Sequence, residues 1–280
     1  MLTHADLPDK IRHIPHAPKQ LHSIGANLAE LLVKPCVAIV GSRKVSTYGR
    51  QVTAQLAAEL SAAGVVVISG LAIGVDGIAH RAVLEAGGLT IAVLPSGLDA
   101  IYPRNHRGLA QQIISRGGAL VTEYPPGTPT YPANFIARNR IAAGLSDAVV
   151  ITEAAERSGT LSTARFALEQ GRELLAVPGN ITSPTSKGTN TLIKAGATPV
   201  TSTADILYAL GIAPQQASSA PHSDDPHEQV ILSLLHAGVT DGADLLAQSA
   251  LDVSLFSQTL TMLEIRGRVR PLGNNCWRLG

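Results

Sequence analysis

The chain has 280 residues, a net charge of +1 and 45% apolar residues, enough for one medium domain with a sizeable core and a smaller companion. Only 3% of the residues are aromatic, so that core must be built from Val, Ile, Leu and Ala, as buried parallel strands are. Cys36 and Cys276 lie too far apart in sequence to suggest a disulfide framework or a thiolate metal site. No run of about 18 apolar residues suggests a membrane span. A reducing, cytoplasmic setting is expected, with no cofactor.

In chain order, residues 1–25 are polar and rich in His and Pro, and read as an arm leading into the fold. From Val37 short apolar runs alternate with helical patterns. Strands are expected at 37–40, 65–69, 90–94, 119–122, 148–152 and 174–177. Helices are expected at 49–63, 75–85, 107–116, 135–145 and 160–170. Buried strands alternating with helices of this length point to an α/β fold with a doubly wound, mostly parallel sheet. In such a sheet the loops that follow the strands meet at one carboxyl edge. This domain is expected over 26–212. Residues 213–225 have a linker composition of Pro, Ser, Gln and Asp. Residues 226–280 read as three short helices, a strand, a turn at 273–275 and a second strand, the layout of a small winged helix.

Charge is unevenly distributed. Residues 36–145 carry about nine Lys/Arg against five acids, whereas 195–265 carry none against eight. The third helix of the tail offers only Arg266 as a cation, which disfavours duplex reading by that unit.

Five loops carry the candidate chemistry. Gly41-Ser42-Arg43-Lys44 follows the first strand, with small residues for close backbone approach and a forked donor for an anion. Arg43 stands where a dinucleotide fingerprint needs its second glycine, and no Gly-Lys-Ser/Thr enters the helix, so neither common nucleotide loop is present. Gly70 opens the second loop, followed by Gly74, Asp76 and His80. Asp76 suits a helix cap, and His80 is spaced to face it one turn on. The third loop sets Tyr102, Pro103 and Arg104 together.

The fourth runs from Glu123 through Tyr124 and Tyr131 to Phe135, Arg138, Asn139 and Arg140. Flat rings interleaved with arginines suit unpaired bases and their phosphates. The alternative is that Phe135 anchors a helix while the arginines form ion pairs. The fifth loop, Glu153 to Ala164, contains Ser158, Gly159 and Thr160 opening a helix, a second anion cradle. No nucleophile, base and orienting group occur together, and no metal-ligand spacing is present. Asp76, Glu123 and Glu153 are available carboxylates, but the pattern points to recognition rather than catalysis.

The stretches VAIVGSRKVSTYG, SGLAIGVDGIAH, TIAVLPSGLDAIYPRN, FIARNRIAAGLS, EAAERSGTLSTARFALEQGR and AVPGN with KGTNTLIKAGA resemble, in this order, the DNA-processing protein A (DprA/Smf) family. The resemblance covers about residues 26–212, with linker and winged helix placed as in many members. It implies an extended Rossmann-like domain that binds single-stranded DNA. It also implies a homodimer that loads the recombinase RecA during natural transformation and helps displace single-strand-binding protein. By position, Gly41, Ser42 and Arg43 match the family's DNA-contacting motif. Arg104 falls at a second cation, and Phe135, Arg138, Asn139 and Arg140 match its F-x-x-R-N segment. Gly70, Ser158 and Gly159 match pocket residues. Many members carry a helical SAM-like domain first, which about 25 residues cannot hold, so its absence is expected. LOG-like nucleotide phosphoribohydrolases begin with a similar Gly-Ser turn and are the alternative. Their Pro-Gly-Gly mark is missing at Glu156-Arg157-Ser158-Gly159-Thr160.

Overall fold

The computed structural model describes residues 2–212, 223–273 and 275–279, and contacts divide it into two units between positions 213 and 214. The first unit runs β1 (Leu2–Thr3), α1 (Asp9–Arg12), β2 (Gln20–Gly25), α2 (Leu28–Leu32), β3 (Cys36–Gly41), α3 (Thr47–Ala62), β4 (Val66–Ser69) and α4 (Val75–Glu85). It continues with β5 (Thr90–Val93), α5 (Arg107–Ser115), β6 (Ala119–Thr122), α6 (Pro132–Leu145), β7 (Ala148–Glu153), α7 (Thr160–Glu169), β8 (Glu173–Ala176), α8 (Lys187–Lys194), β9 (Thr198–Pro199) and α9 (Thr203–Ala209).

The nine strands form one sheet in the order β1-β2-β6-β5-β4-β3-β7-β8-β9. All neighbours from β6 to β9 are parallel. Alternate residues of β3 serve opposite faces, which is why it reads as a continuous apolar run. Val37 and Ile39 pack with α3, α4 and α9. Ala38 and Val40 pack with α7. Among the described residues of the first unit no Phe or Tyr is fully buried. Aliphatic strands fill its core, and the rings are left for the surface.

After β3 the chain steps outward through β4, β5 and β6, then returns to β7 on the other side of β3. The strand order therefore reverses between β3 and β7, and the crevice at their carboxyl ends is the natural ligand position of an open α/β sheet.

Residues 2–25 differ from the expected arm. Strand β2 pairs antiparallel with β6, from His22 opposite Thr122 to Gly25 opposite Ala119. Leu7, Ile11 and Ile14 pack with Ile141 and Leu145 of α6. Lys10 reaches Asp147 at 2.8 Å, and Arg172 donates to the Lys10 carbonyl at 2.6 Å. Only Ile11 of the three lies in α1, so the apolar spacing is carried mostly by loop residues packed on α6.

The second unit holds α10 (Pro226–His236), α11 (Gly242–Ser249), α12 (Val253–Ile265) and the hairpin β10 (Val269–Gly273) and β11 (Cys276–Leu279). Three Asp side chains, Asp225, Asp241 and Asp252, cap its helices by accepting from backbone N–H groups. Leu232, Leu245, Phe256 and Leu263 form its core. Arg266, at the end of α12, is paired at 2.6 Å with the buried Glu228, and the hairpin sets Arg270 opposite Arg278. Residues 213–222 of the expected linker lie outside the described residues.

His80 does not meet Asp76. It is fully buried, with Nδ1 2.7 Å from the Thr90 hydroxyl. That hydroxyl donates to the Val67 carbonyl at 2.6 Å, so it accepts from His80, and the ring is neutral with the proton on Nδ1. Burial, then the nearby Arg138 charge, pushes its pKa down from 6.5 to about 3. A depressed histidine favours the fold above its unfolded value and withdraws that stability as pH falls. Stability should decline from pH 6.5 towards about 3, by on the order of 1.4 kcal/mol per pH unit from this residue. His80→Asn keeps a donor near the Nδ1 position. Urea midpoints of that variant should vary less over this window than those of the parent chain, and equal pH dependence would refute the assignment.

Candidate functional site

A cavity of about 540 Å³ occupies the crevice at the ends of β3 and β7. Gly41, Ser42, Arg43, Gly70, Phe135, Arg138, Asn139, Ser158 and Gly159 all line it. Residues separated by more than a hundred positions meet there because the loops after β3, β4 and β7 and the start of α6 share one edge.

The turn after β3 is held from three sides. The Ser42 N–H donates to the Glu153 carbonyl at 2.8 Å, and the Ser42 carbonyl accepts from the Val75 N–H at 3.2 Å. Its hydroxyl accepts from the Lys44 N–H at 3.1 Å. The Thr160 hydroxyl donates to the Gly41 carbonyl at 3.0 Å, tying the fifth loop to the first. At Gly41 a Cβ would lie 2.6 Å from the Val75 side chain and 2.9 Å from the Glu153 carbonyl. Gly74 has φ of +90°, and a Cβ there would strike the Ser42 carbonyl. Glycine is required where these two loops cross.

The carboxylates considered in the sequence have structural partners. Glu153 is buried and its Oε2 accepts from the Ser46 N–H at 2.9 Å. Glu123 holds Arg140 at 2.6 Å, with both side chains largely buried. Arg140 is thus not among the cavity residues, although its position beside Phe135 and Arg138 suggested it. Arg104 is exposed on a short 3₁₀ turn, Arg104–His106, and also stands outside this cavity.

Arg138 lines the cavity but belongs to the core. It is 5% exposed, 3.6 Å from Asp76, and donates to the Val93 carbonyl and, at 3.0 Å, to Asn139 Oδ1. Asp76 does not cap its own helix; its Oδ2 accepts from the Gly70 N–H at 3.1 Å and the Ala72 N–H at 3.4 Å. Burial pushes the Asp76 carboxyl upward against the pull of Arg138, and burial lowers Arg138 in turn. Gly70 is needed beside this pair, since a Cβ would collide with the guanidinium.

Exposed cations remain at the mouth. The Arg43 guanidinium lies over the Phe135 ring, 4.8 Å from its centroid. Tyr102 meets the same ring edge-on at 5.4 Å. Lys44 and Arg157 also line the cavity. Both sit inside the candidate loops of the sequence, though neither is among the expected site residues. The signal for Arg157 was its place directly before the Ser158-Gly159-Thr160 turn.

The family described as DNA recombination-mediator protein A matches residues 1–211. This chain belongs to that family. The DprA winged helix domain matches residues 204–275. Among family relatives, Protein Smf of Escherichia coli is 48% identical over 187 residues, which is 67% of this chain and 50% of that one. DprA of Mycobacterium tuberculosis is 36% identical over 271 residues, 94% of this chain and 69% of the other. The chain thus spans between half and about two thirds of these relatives. The structure of DprA from Streptococcus pneumoniae has a TM-score of 0.68 at 41% identity, covering 72% of this chain and 70% of its own. That of DNA processing protein A from Helicobacter pylori gives 0.66 at 35%, covering 73% and 92%.

The buried pair beneath the cavity makes a direct test. Asp76→Asn leaves the Arg138 charge uncompensated and should cost about 3–5 kcal/mol in urea unfolding of the first unit. Replacing both partners with apolar residues, Asp76→Leu with Arg138→Met, should recover only part of that loss, because the Gly70 and Ala72 N–H groups keep no acceptor. A single variant within about 1 kcal/mol of the parent would show that the pair is not desolvated as described.

Proposed function

We propose that this chain binds single-stranded DNA along the carboxyl edge of its sheet, with little sequence preference, and presents it to RecA during natural transformation. The observation that carries this reading is the Arg43 guanidinium laid over Phe135 at the mouth of the cavity. A flat ring beside an exposed cation offers a base and its phosphate adjacent partners, which is how sequence-tolerant single-strand sites are built.

Around that centre, Arg43, Lys44 and Arg157 would hold phosphates. Phe135, with Tyr102 behind it, would stack a base. Gly41 and Gly159 would allow backbone approach, and at Gly159 no atom beyond its chain neighbours lies within 4 Å of where a Cβ would be. Ser42 and Ser158 shape their turns and offer hydroxyls. Asn139, Arg138 and Gly70 form the floor. The Helicobacter pylori relative has a single-stranded DNA binding mode, and membership of a recombination-mediator family supports a hand-over to a recombinase. The same reading has the protein acting as a homodimer and helping to displace single-strand-binding protein. Among the described residues no helix is long and apolar enough to cross a membrane.

Fluorescence anisotropy with an unstructured oligonucleotide tests the proposal. Phe135→Ala should weaken binding, towards the low end of the about 1–3 kcal/mol per stacked base, because Arg43 already covers one face of the ring. Arg43→Ala should weaken it as well, and lower the salt dependence of log K by about 0.7 for one lost phosphate contact. Equal affinity for duplex and single strand, or indifference to Arg43→Ala, would overturn it.

The winged helix is assigned an auxiliary, protein-contacting role, because the one cation expected on its third helix is committed to Glu228. A chain ending after Ile212 should keep most of its affinity for the single strand. Complete loss of binding by a folded truncated chain would reverse that assignment.

A further inference from the structure

A second cavity, of about 260 Å³, adjoins the first, and Arg43 and Lys44 line both. Its other polar walls are Arg50 from the first turn of α3, Arg81 from α4, and Asn105 and His106 from the short turn that begins with Arg104. No carboxylate lines it, nor any Phe, Tyr or Trp, and its one ring, His106, is buried and tied to the Leu71 carbonyl at 2.8 Å. Among the described residues, none of Arg43, Lys44, Arg50 and Arg81 takes part in an ion pair.

This arrangement is unfavourable for the protein alone. A helix N-terminus carries partial positive charge and favours acids. The first turn of α3 has no acid of its own; the buried Glu153 takes the Ser46 N–H but does not line this cavity, whose rim carries three cations at or just before that turn. Four like charges around one concavity raise its potential, and an anion would relieve the repulsion. The ligand chemistry follows from what the walls lack. With His106 buried, no exposed ring is offered for a base to stack on, while Ile73, 51% exposed, offers an apolar face suited to a sugar.

We propose that this second cavity is a phosphodiester subsite, which takes the backbone of the same single strand as it leaves the Phe135 cavity across Arg43. The inference rests on the proposed single-strand function and adds a path to it. Bases are held on the side of Phe135, and the adjoining phosphates are held between α3 and α4 by Arg50 and Arg81.

The test compares two oligothymidines, one of about 4 nucleotides and one of about 16, the range that single-strand modules cover. Binding of each is measured against salt, using the full chain and the Arg50→Gln/Arg81→Gln variant. Both arginines are exposed, and an unchanged melting temperature checks the fold. For the long strand, the slope of log K against log salt should fall by about 0.7 per lost contact, up to about 1.4. The short strand should bind the variant as it binds the parent. Arg50→Lys/Arg81→Lys should retain the slope, since charge rather than fork geometry is being used. An unchanged slope for the long strand, or equal losses at both lengths, would overturn the subsite while leaving an Arg43-dependent single-strand site in place. Failure of the parent chain to bind either strand would remove the proposed function, and the subsite with it.

Discussion

An arginine shielded from water lies under the candidate site, and much of the surrounding loop structure serves to keep it there. A buried guanidinium is tolerable only with a counter-charge and with acceptors for its N–H groups. Arg138 has Asp76 at 3.6 Å, the Val93 carbonyl and Asn139. Asp76 in turn folds the preceding loop around itself through the Gly70 and Ala72 N–H groups. The side chain of residue 70 must be absent for the guanidinium to fit. One ion pair thereby fixes the end of β4, the start of α4 and the middle of α6 relative to one another. Since Asp76 offsets the Arg138 charge, the positive potential at the mouth of this cavity comes from Arg43, Lys44 and Arg157.

This arrangement separates two jobs that the sequence presents in one run. Phe135, Arg138, Asn139 and Arg140 occupy little more than a turn and a half of helix, but a helix distributes neighbours around its circumference. Phe135 points to the mouth, Arg138 into the core, and Arg140 to an ion pair with Glu123. The two readings of that segment, nucleic-acid contact and helix anchoring by ion pairs, are therefore divided among its residues.

The main sheet was legible because β3, β4, β5, β6 and β7 are short runs of aliphatic residues buried on both faces, a pattern that few alternatives produce. The convergence of Gly41, Gly70, Phe135 and Ser158 on one cavity followed from topology, since loops after parallel strands share an edge. The sheet position of β2 was not legible. A short antiparallel strand such as Gln-Leu-His-Ser-Ile-Gly, lying between β1 and β6, has one fully buried residue, Leu21, and too little periodicity to announce itself. Helix α8 was missed because its Lys-Gly-Thr-Asn start reads as a turn. The Arg138–Asp76 pair was also beyond reach: 62 positions separate its partners, and nothing in the local pattern of either shows which charges will be stripped of water.

The ring of Phe135 has consequences beyond its position. In the free protein one of its faces is already covered by the Arg43 guanidinium, itself flat and delocalised. A base arriving on that face would exchange one planar partner for another instead of covering bare hydrocarbon. The net gain is the difference between two stacks, smaller than either and less sensitive to which base arrives. The displaced guanidinium is freed at that moment to follow the phosphate. Such an exchange would reward the length of a strand more than its sequence, and would keep an aromatic surface from adhering to unrelated apolar partners while it waits.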